Sequence, residues 1–344
     1  MFFIYGKFSQ CTPSAVCFIT VAGVSVYNCI KMESIPRGRI LQIRPDTLEQ
    51  VRKEYNLEKK GRMEEAVKML DEWIQKQPHF KKKDFDPYFL ETTILASKGS
   101  LERAKRQIDK NCTLRTLLPV YFGNFNVRND FKNIHDVVQT AVLPKLTPDH
   151  YRIVLTKFNN IPFDSSDVIN FYRYNVILGD YLKSHDYLRG FIVISDYSDA
   201  NMMDYVSKIN PIDLRNAFSI YLEGYGMRIK GIHIVCSSKF VDAFITILKQ
   251  VLSEKVANRI SVHKSIDDLS KVIPKEILPV DYGGDEKSIK TLSDEWIDVL
   301  STKEHMDYVA DMNQAGTDES LRQPDKFCDT CAGMPGSFRI LSVD

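Results

Sequence analysis

Between residues 151 and 262 the chain alternates short apolar runs with longer stretches of helical periodicity, and this alternation constrains the fold more than any other feature. Tyr151-Arg-Ile-Val-Leu-Thr156, Phe191-Ile-Val-Ile194, Gly231-Ile-His-Ile-Val235 and Ile260-Ser-Val262 are rich in β-branched residues and too short for helices, so they read as strands. Asp164 to Leu182 repeats Val168, Phe171, Tyr172 and Leu178 at helical spacing. Asp213 to Leu222 carries Leu214, Ala217, Phe218, Tyr221 and Leu222 on one side, and Phe240 to Leu252 carries Phe240, Phe244, Ile247, Leu248 and Val251 on a stripe. Strands alternating with helices predict an α/β domain, a mainly parallel sheet with covering helices.

The preceding region has a different texture. Asp46-Thr-Leu-Glu49 has the form of a capping box, so a helix is expected from there. Met63, Ala66, Val67, Leu70, Trp73 and Ile74 fall on one face of a second helix, expected to stop at Gln77-Pro78. After the basic loop Lys81-Lys-Lys83, Asp86-Pro87 can cap a third helix through Leu95, with Gly99 at its end. Ser100-Leu-Glu-Arg103 opens a fourth, with Leu101, Ala104 and Ile108 inward. Residues 40–120 therefore read as an all-α bundle. After Asp285 one amphipathic helix is expected around Trp296, followed by a polar tail.

With 344 residues and 44% hydrophobic composition the chain can bury a sizeable core and still enclose a cavity. Its formal net charge of +1 gives no global attraction to nucleic acid, so any basic site must be local. The seven cysteines (Cys11, Cys17, Cys29, Cys112, Cys236, Cys328 and Cys331) are odd in number and scattered, which argues for a reducing compartment rather than a disulfide framework. The apolar run Ala15–Ile30 falls short of the roughly 18 residues of a membrane span. Only Lys7 precedes it as a basic flank, and Met32 opens a polar start. Residues 1–31 are read as an extension or an upstream-start segment, with a signal or anchor and an added strand as alternatives.

Catalytic patterns are missing. There is no Gly-x-Ser-x-Gly elbow and no phosphate-binding P-loop. Gly224-x-Gly226 with Gly231 lacks dinucleotide spacing and precedes a strand, so it reads as a turn. His233 lies within an apolar strand and reads as a core or sheet-surface histidine. Cys328-Asp-Thr-Cys331 has redox or metal spacing but no second ligand pair. Asp196 ends a strand, where catalytic acids often sit, without a visible partner base. No catalytic residue, metal or cofactor is assigned, and the chain is read as a non-enzyme. Phe163 to Tyr187 instead holds Phe163, Phe171, Tyr172, Tyr174, Tyr181 and Tyr187, residues that either fill a core or line a hydrophobic ligand site. Arg228 and Lys230 flank the turn before Gly231, and Lys255 and Arg259 are spaced i, i+4 on one expected helix face. These four read either as a solvated face or as a site for a phosphorylated headgroup.

Gly231–Val235, Phe240–Ile260 and Ile277-Leu-Pro-Val-Asp-Tyr-Gly-Gly284 together resemble the CRAL-TRIO lipid-binding domain family of tocopherol and retinaldehyde carriers. The most specific match is Leu-Pro-x-x-Tyr-Gly-Gly, here Leu278 to Gly284. Ser100-Leu-Glu-Arg-Ala-Lys105 resembles the end of the family's helical N-domain, and Gly336-Ser-Phe-Arg-Ile-Leu341 the C-terminus of its arthropod branch. The resemblance implies an all-α domain at 32–125, the lipid-binding domain at 126–285 and a C-terminal helix and tail at 286–344. It also implies an apolar cavity lined by Phe171, Tyr174, Ile192, Ile194, Ala217, Phe218, Tyr221, Ile232 and Ile234. A gate would be formed by Phe240, Phe244 and Ile247 against a lip at Met202 and Val206. Arg228, Lys230, Lys255 and Arg259 match the family's phosphoinositide-contacting cluster.

Two departures stand out. The family's arginine-rich segment reads Thr93-Ile-Leu-Ala-Ser-Lys-Gly99 here, with Leu95 in place of an arginine and Gly99 in place of an aromatic. Asp199 replaces a glycine three residues past Asp196. The expected protein is a cytoplasmic monomer that carries a hydrophobic small molecule or lipid and meets membranes transiently. A phosphoinositide-sensing adaptor that recruits a protein partner is the alternative.

Overall fold

The computed structural model describes residues 40–322. The leading segment 1–31, Cys328, Cys331 and Gly336–Leu341 lie outside them. Four helices open the described chain: α1 (Thr47–Lys53), α2 (Arg62–Gln75), α3 (Pro87–Ala96) and α4 (Leu101–Leu117). The expected capping box at α1 does not form. Asp46 holds the N-cap position without a side-chain bond and turns instead toward Arg44 (3.6 Å) and His150 (3.8 Å). The other starts follow the sequence: Asp86 accepts from the Tyr88 amide at 2.7 Å, and Ser100 from Arg103 at 3.4 Å. In α2, Met63, Ala66, Val67, Leu70 and Ile74 of the expected stripe are buried, and Trp73 is half-buried. At the end of α3, Lys98 (φ 58°) and Gly99 (φ 72°) reverse the chain through left-handed backbone.

Two short helices, α5 (Val127–Asp130) and α6 (Lys132–Val137), lead into the sheet. Its strands are β1 (Val138–Val142), β2 (Tyr151–Phe158), β3 (Gly190–Asp196), β4 (Ile229–Val235) and β5 (Ile260–His263), in that spatial order. β2 to β5 are parallel, and β1 pairs antiparallel with β2. The connections are α7 (Ser165–His185) between β2 and β3, then α8 (Met202–Lys208) and α9 (Pro211–Ser219) between β3 and β4. α9 runs on into a π-turn, Ile220–Gly224. α10 (Val241–Val251) and α11 (Glu254–Ala257) connect β4 to β5. Parallel strands laid down in order by right-handed crossovers place every connecting helix on one face. The sequence reading missed α5, α6, β1 and α8.

The segment after β5 comprises α12 (Ile266–Ser270), a 3₁₀ turn at Val280–Tyr282, α13 (Ile289–Leu300) and α14 (Lys303–Met312). α14 is a second helix where a polar tail was expected, burying His305, Val309 and Met312. α13 lies along β1, and Trp296 Nε1 donates to the Val142 carbonyl at 2.9 Å.

Candidate functional site: the space beneath the connecting helices

The ladder register determines which side chains meet. Val154 pairs with Val193, Thr156 with Ser195, Val193 with Ile232 and Ser195 with Ile234, so these six share one face. Phe158 belongs to that face and touches Phe171 of α7 (5.7 Å between ring centroids) and Tyr205 of α8 (5.0 Å). This is therefore the face beneath the connecting helices. The other face carries Ile153, Leu155, Ile192, Ile194 and His233.

The nine expected lining residues are divided by this geometry. Ile232 and Ile234 look toward the connecting helices, whereas Ile192 and Ile194 look away, so the four do not line one space. Phe171, Ala217, Phe218 and Tyr221 lie on the covering helices, with Phe218 and Tyr221 6.2 Å apart and the Tyr221 hydroxyl donating to the Tyr172 carbonyl at 3.0 Å. Tyr174 packs edge-on to His135 of α6 (5.9 Å), and its buried hydroxyl meets no partner. Val154, Val193 and Ser195, which the sequence did not single out, share the face of Ile232 and Ile234. They sit on interior strands, yet remain only half-buried, as do Phe171, Phe218 and Tyr221 opposite. Thr156, Ile232 and Ile234 of the same face are buried, so floor and cover stay open to each other only around Val154, Val193 and Ser195. Alternation within each strand is visible in the sequence, but the pairing that puts Val193 rather than Ile192 on this face is not.

α10 is held down by Phe244, which packs on Tyr197 (5.3 Å) and Tyr205 (5.9 Å); Tyr197 in turn stacks on Phe158 at 4.2 Å. Phe244 and Met202 are buried, while Val206, Phe240 and Ile247 are half-buried. The outward apolar residues beside them are Met203 (57% exposed) and Ile212 (68%), which the sequence reading did not select. Asp199, the departure near this lip, pairs with Lys157 at 2.8 Å.

The basic residues are distributed around the start of β4. Arg228 lies over the Tyr55 ring (5.5 Å) and 3.5 Å from Glu54, and Lys230 lies over Tyr151 (5.4 Å). The register slips between Phe191 and Ile192, which face Ile229 and Gly231, so Lys230 is the bulged residue. The Arg259 guanidinium donates to the Ile229 carbonyl. Lys255 and Arg259 do not share a helix face: α11 ends at Ala257, and Arg259 lies beyond it. Lys98 is an addition from the N-terminal helices. Its ammonium is held below its usual pKa chiefly by the charge of Lys255, then by that of Arg228.

The Leu278–Gly284 signature has a physical basis. Asp196 is fully buried at the end of β3. It accepts from the Tyr282 hydroxyl at 2.7 Å, from the Ser198 amide at 2.9 Å and from the Ser198 hydroxyl at 2.6 Å. Asp196 is therefore a clamp for the segment that follows β5. Gly283 takes left-handed backbone (φ 72°), and a Cβ on Gly284 would stand 1.9 Å from the Leu278 carbonyl oxygen.

Residues 138–284 match the model of the CRAL/TRIO domain. The match spans the five-stranded sheet and its connecting helices, so this part of the chain is similar to that domain. Relatives that cover most of the chain are similar to it at low identity. An alpha-tocopherol transfer protein-like protein of Mus musculus is 25% identical over 303 residues, 87% of this chain and 84% of that protein. Its Homo sapiens namesake is 24% identical over 301 residues, with the same coverage. The crystal structure of Sfh5 aligns with a TM-score of 0.46 and 11% identity over 73% of this chain and 92% of that one. Among the described residues, no helix is long and apolar enough to cross a membrane, and no group of three or more His, Cys, Asp or Glu is placed to hold a metal ion.

Proposed function

We propose that the chain binds a small hydrophobic ligand between the sheet and α7–α10 and transfers it between membranes without chemical change. The observation that carries this reading is the incomplete burial of Val154, Val193 and Ser195 at the centre of the sheet, opposite Phe171, Phe218 and Tyr221. Interior strand positions beneath packed helices are ordinarily closed. An apolar ligand filling the space gains about 25 cal/mol for each Å² of its surface removed from water. The ligand class is a tocopherol, retinoid, carotenoid or similar isoprenoid, or a phospholipid. α10 is the gate: Phe244 releases Tyr197 and Tyr205, while Phe240, Ile247, Val206 and the lip at Met202–Met203 meet the membrane. The reading includes a monomer in the cytoplasm, on the membrane only during exchange, with 32–125 as a helical domain, 126–285 as the lipid-binding domain and Gly336–Leu341 as an arthropod-type C-terminus.

Organic extraction and mass spectrometry of the protein made in its native tissue tests the reading. A stoichiometric lipophile is expected from the unaltered chain, and much less from Val193→Phe, which fills the floor. A folded protein that yields no lipophile would sink it. The grouping of Lys98, Arg228 and Lys255 favours a second reading, a phosphoinositide-sensing adaptor. Its mark is headgroup-selective vesicle binding that Val193→Phe leaves intact while extraction finds no ligand.

A further inference from the structure

A recess of about 50 Å³ lies apart from this space, between α3, the end of α7, the start of β3 and the turn before β4. Leu95, Leu182, Leu188, Phe191 and Met227 give it apolar walls, and Lys183 lies among them. Lys183 is buried. Among the described residues it enters no ion pair. Its Nζ donates to Thr93 Oγ1 at 3.0 Å and stands 5.2 Å from the centre of the Phe89 ring.

The carboxylates of the elements around it are engaged elsewhere. Asp186 receives Arg152 on both oxygens, at 2.7 and 2.8 Å. Glu91 receives Arg52 at 2.8 Å and the Tyr187 hydroxyl at 2.5 Å. Glu54 is taken by Arg189 at 2.6 Å and Arg228 at 3.5 Å. Arg189 and Arg228 also line the recess, so the charge around it is cationic apart from the engaged Asp186. Burial alone pushes the Lys183 amine down to about 7, which shows how poorly its charge is compensated.

A buried ammonium without a counter-charge is costly, and an anion entering the recess would remove that cost. The walls restrict the choice to an anion with an aliphatic body, and the small volume restricts it to a short one. We propose that this recess binds the carboxylate of a short aliphatic acid, with Lys183 as its counter-charge. The site stands whatever occupies the space beneath α7–α10.

Butyrate is a suitable probe, with butan-1-ol and inorganic phosphate as comparisons. The full chain is treated with an amine-acylating reagent near neutral pH, and acylation of the Lys183 peptide is read by mass spectrometry. Butyrate should protect Lys183 saturably, and butan-1-ol should not. In Lys183→Met, which keeps the volume and removes the charge, butyrate affinity from thermal shift should fall about tenfold, the equivalent of one charge-assisted hydrogen bond. If that variant fails to fold, the protection pattern of the unaltered chain decides alone. Unprotected Lys183, or undiminished butyrate affinity in folded Lys183→Met, overturns the proposal. Equal protection by phosphate overturns the aliphatic acid as the occupant.

Discussion

A single hydroxyl and a missing side chain explain why the Leu278–Gly284 signature is so specific. Tyr282 carries the hydroxyl that meets buried Asp196, and Gly284 leaves room for the Leu278 carbonyl. The two make separable predictions. Tyr282→Phe removes one donor from a carboxylate that keeps its two bonds from Ser198, so stability should fall by about 1–3 kcal/mol in urea titration. Gly284→Ala forces a methyl group against backbone that cannot rotate away, so the loss should exceed that of Tyr282→Phe and reach about 3 kcal/mol or more. If Gly284→Ala proved the milder change, the close approach would not be the reason for glycine there. Asp196 shows the same economy: a strand-end acid that could pass for a catalytic group has its proton acceptors occupied by three structural donors.

At the level of elements, α7, α9 and α10 were legible because each carries an apolar stripe at helical spacing over nine or more residues. β1 was not, since Val138-Gln-Thr-Ala-Val142 follows α6 without a turn residue between them. α8 spans only seven residues and leaves too few positions for periodicity to show. The faces of the expected lining residues were hidden for a different reason. Ile192, Ile194, Ile232 and Ile234 have equivalent positions in their own strands, and the slip at Lys230 that separates their faces exists only once β3 and β4 are paired. The gate reading makes its prediction here. Phe240→Asp with Ile247→Asp should reduce association with neutral vesicles by about tenfold or more, because two apolar side chains of about 1.5–3 kcal/mol each no longer enter the bilayer. Lys255→Ala with Arg259→Ala should leave neutral vesicles unaffected and weaken binding to anionic ones by up to thirtyfold, at about 1 kcal/mol per cation near the surface. Vesicle co-sedimentation reads both. If the charge pair and the apolar pair acted alike on both vesicle types, α10 and the basic cluster would not have separate roles.

Across the whole molecule, buried ionisable groups tie the N-terminal and C-terminal helices to α7. Arg115 of α4 meets Asp180 of α7 at 2.6 Å and Asn313 beyond α14 at 3.1 Å. His305 of α14 lies 3.3 Å from the Ile177 carbonyl and packs edge-on against Tyr181. Burial pushes the His305 imidazole down to about 4, and neighbouring His185 acts in the same direction. Above the ordinary histidine value of 6.5 both folded and unfolded chains hold it neutral, and it costs nothing. As pH falls below 6.5 the unfolded chain gains a proton that the folded chain refuses, so stability drops by about 1.4 kcal/mol per pH unit until the folded value near 4 is reached. Between pH 7.5 and 5 this amounts to about 2 kcal/mol from His305 alone. His135, His150, His185, His233 and His263 are depressed by burial too, and add to the trend. Urea unfolding across that range should therefore show progressive loss in the unaltered chain. His305→Gln, which keeps a donor for the Ile177 carbonyl and cannot titrate, should flatten the profile by about 2 kcal/mol relative to the unaltered chain. Parallel profiles for the two proteins would mean that α14 opens enough to hydrate the imidazole, and that its docking on α7 is looser than the packing around Tyr181 implies.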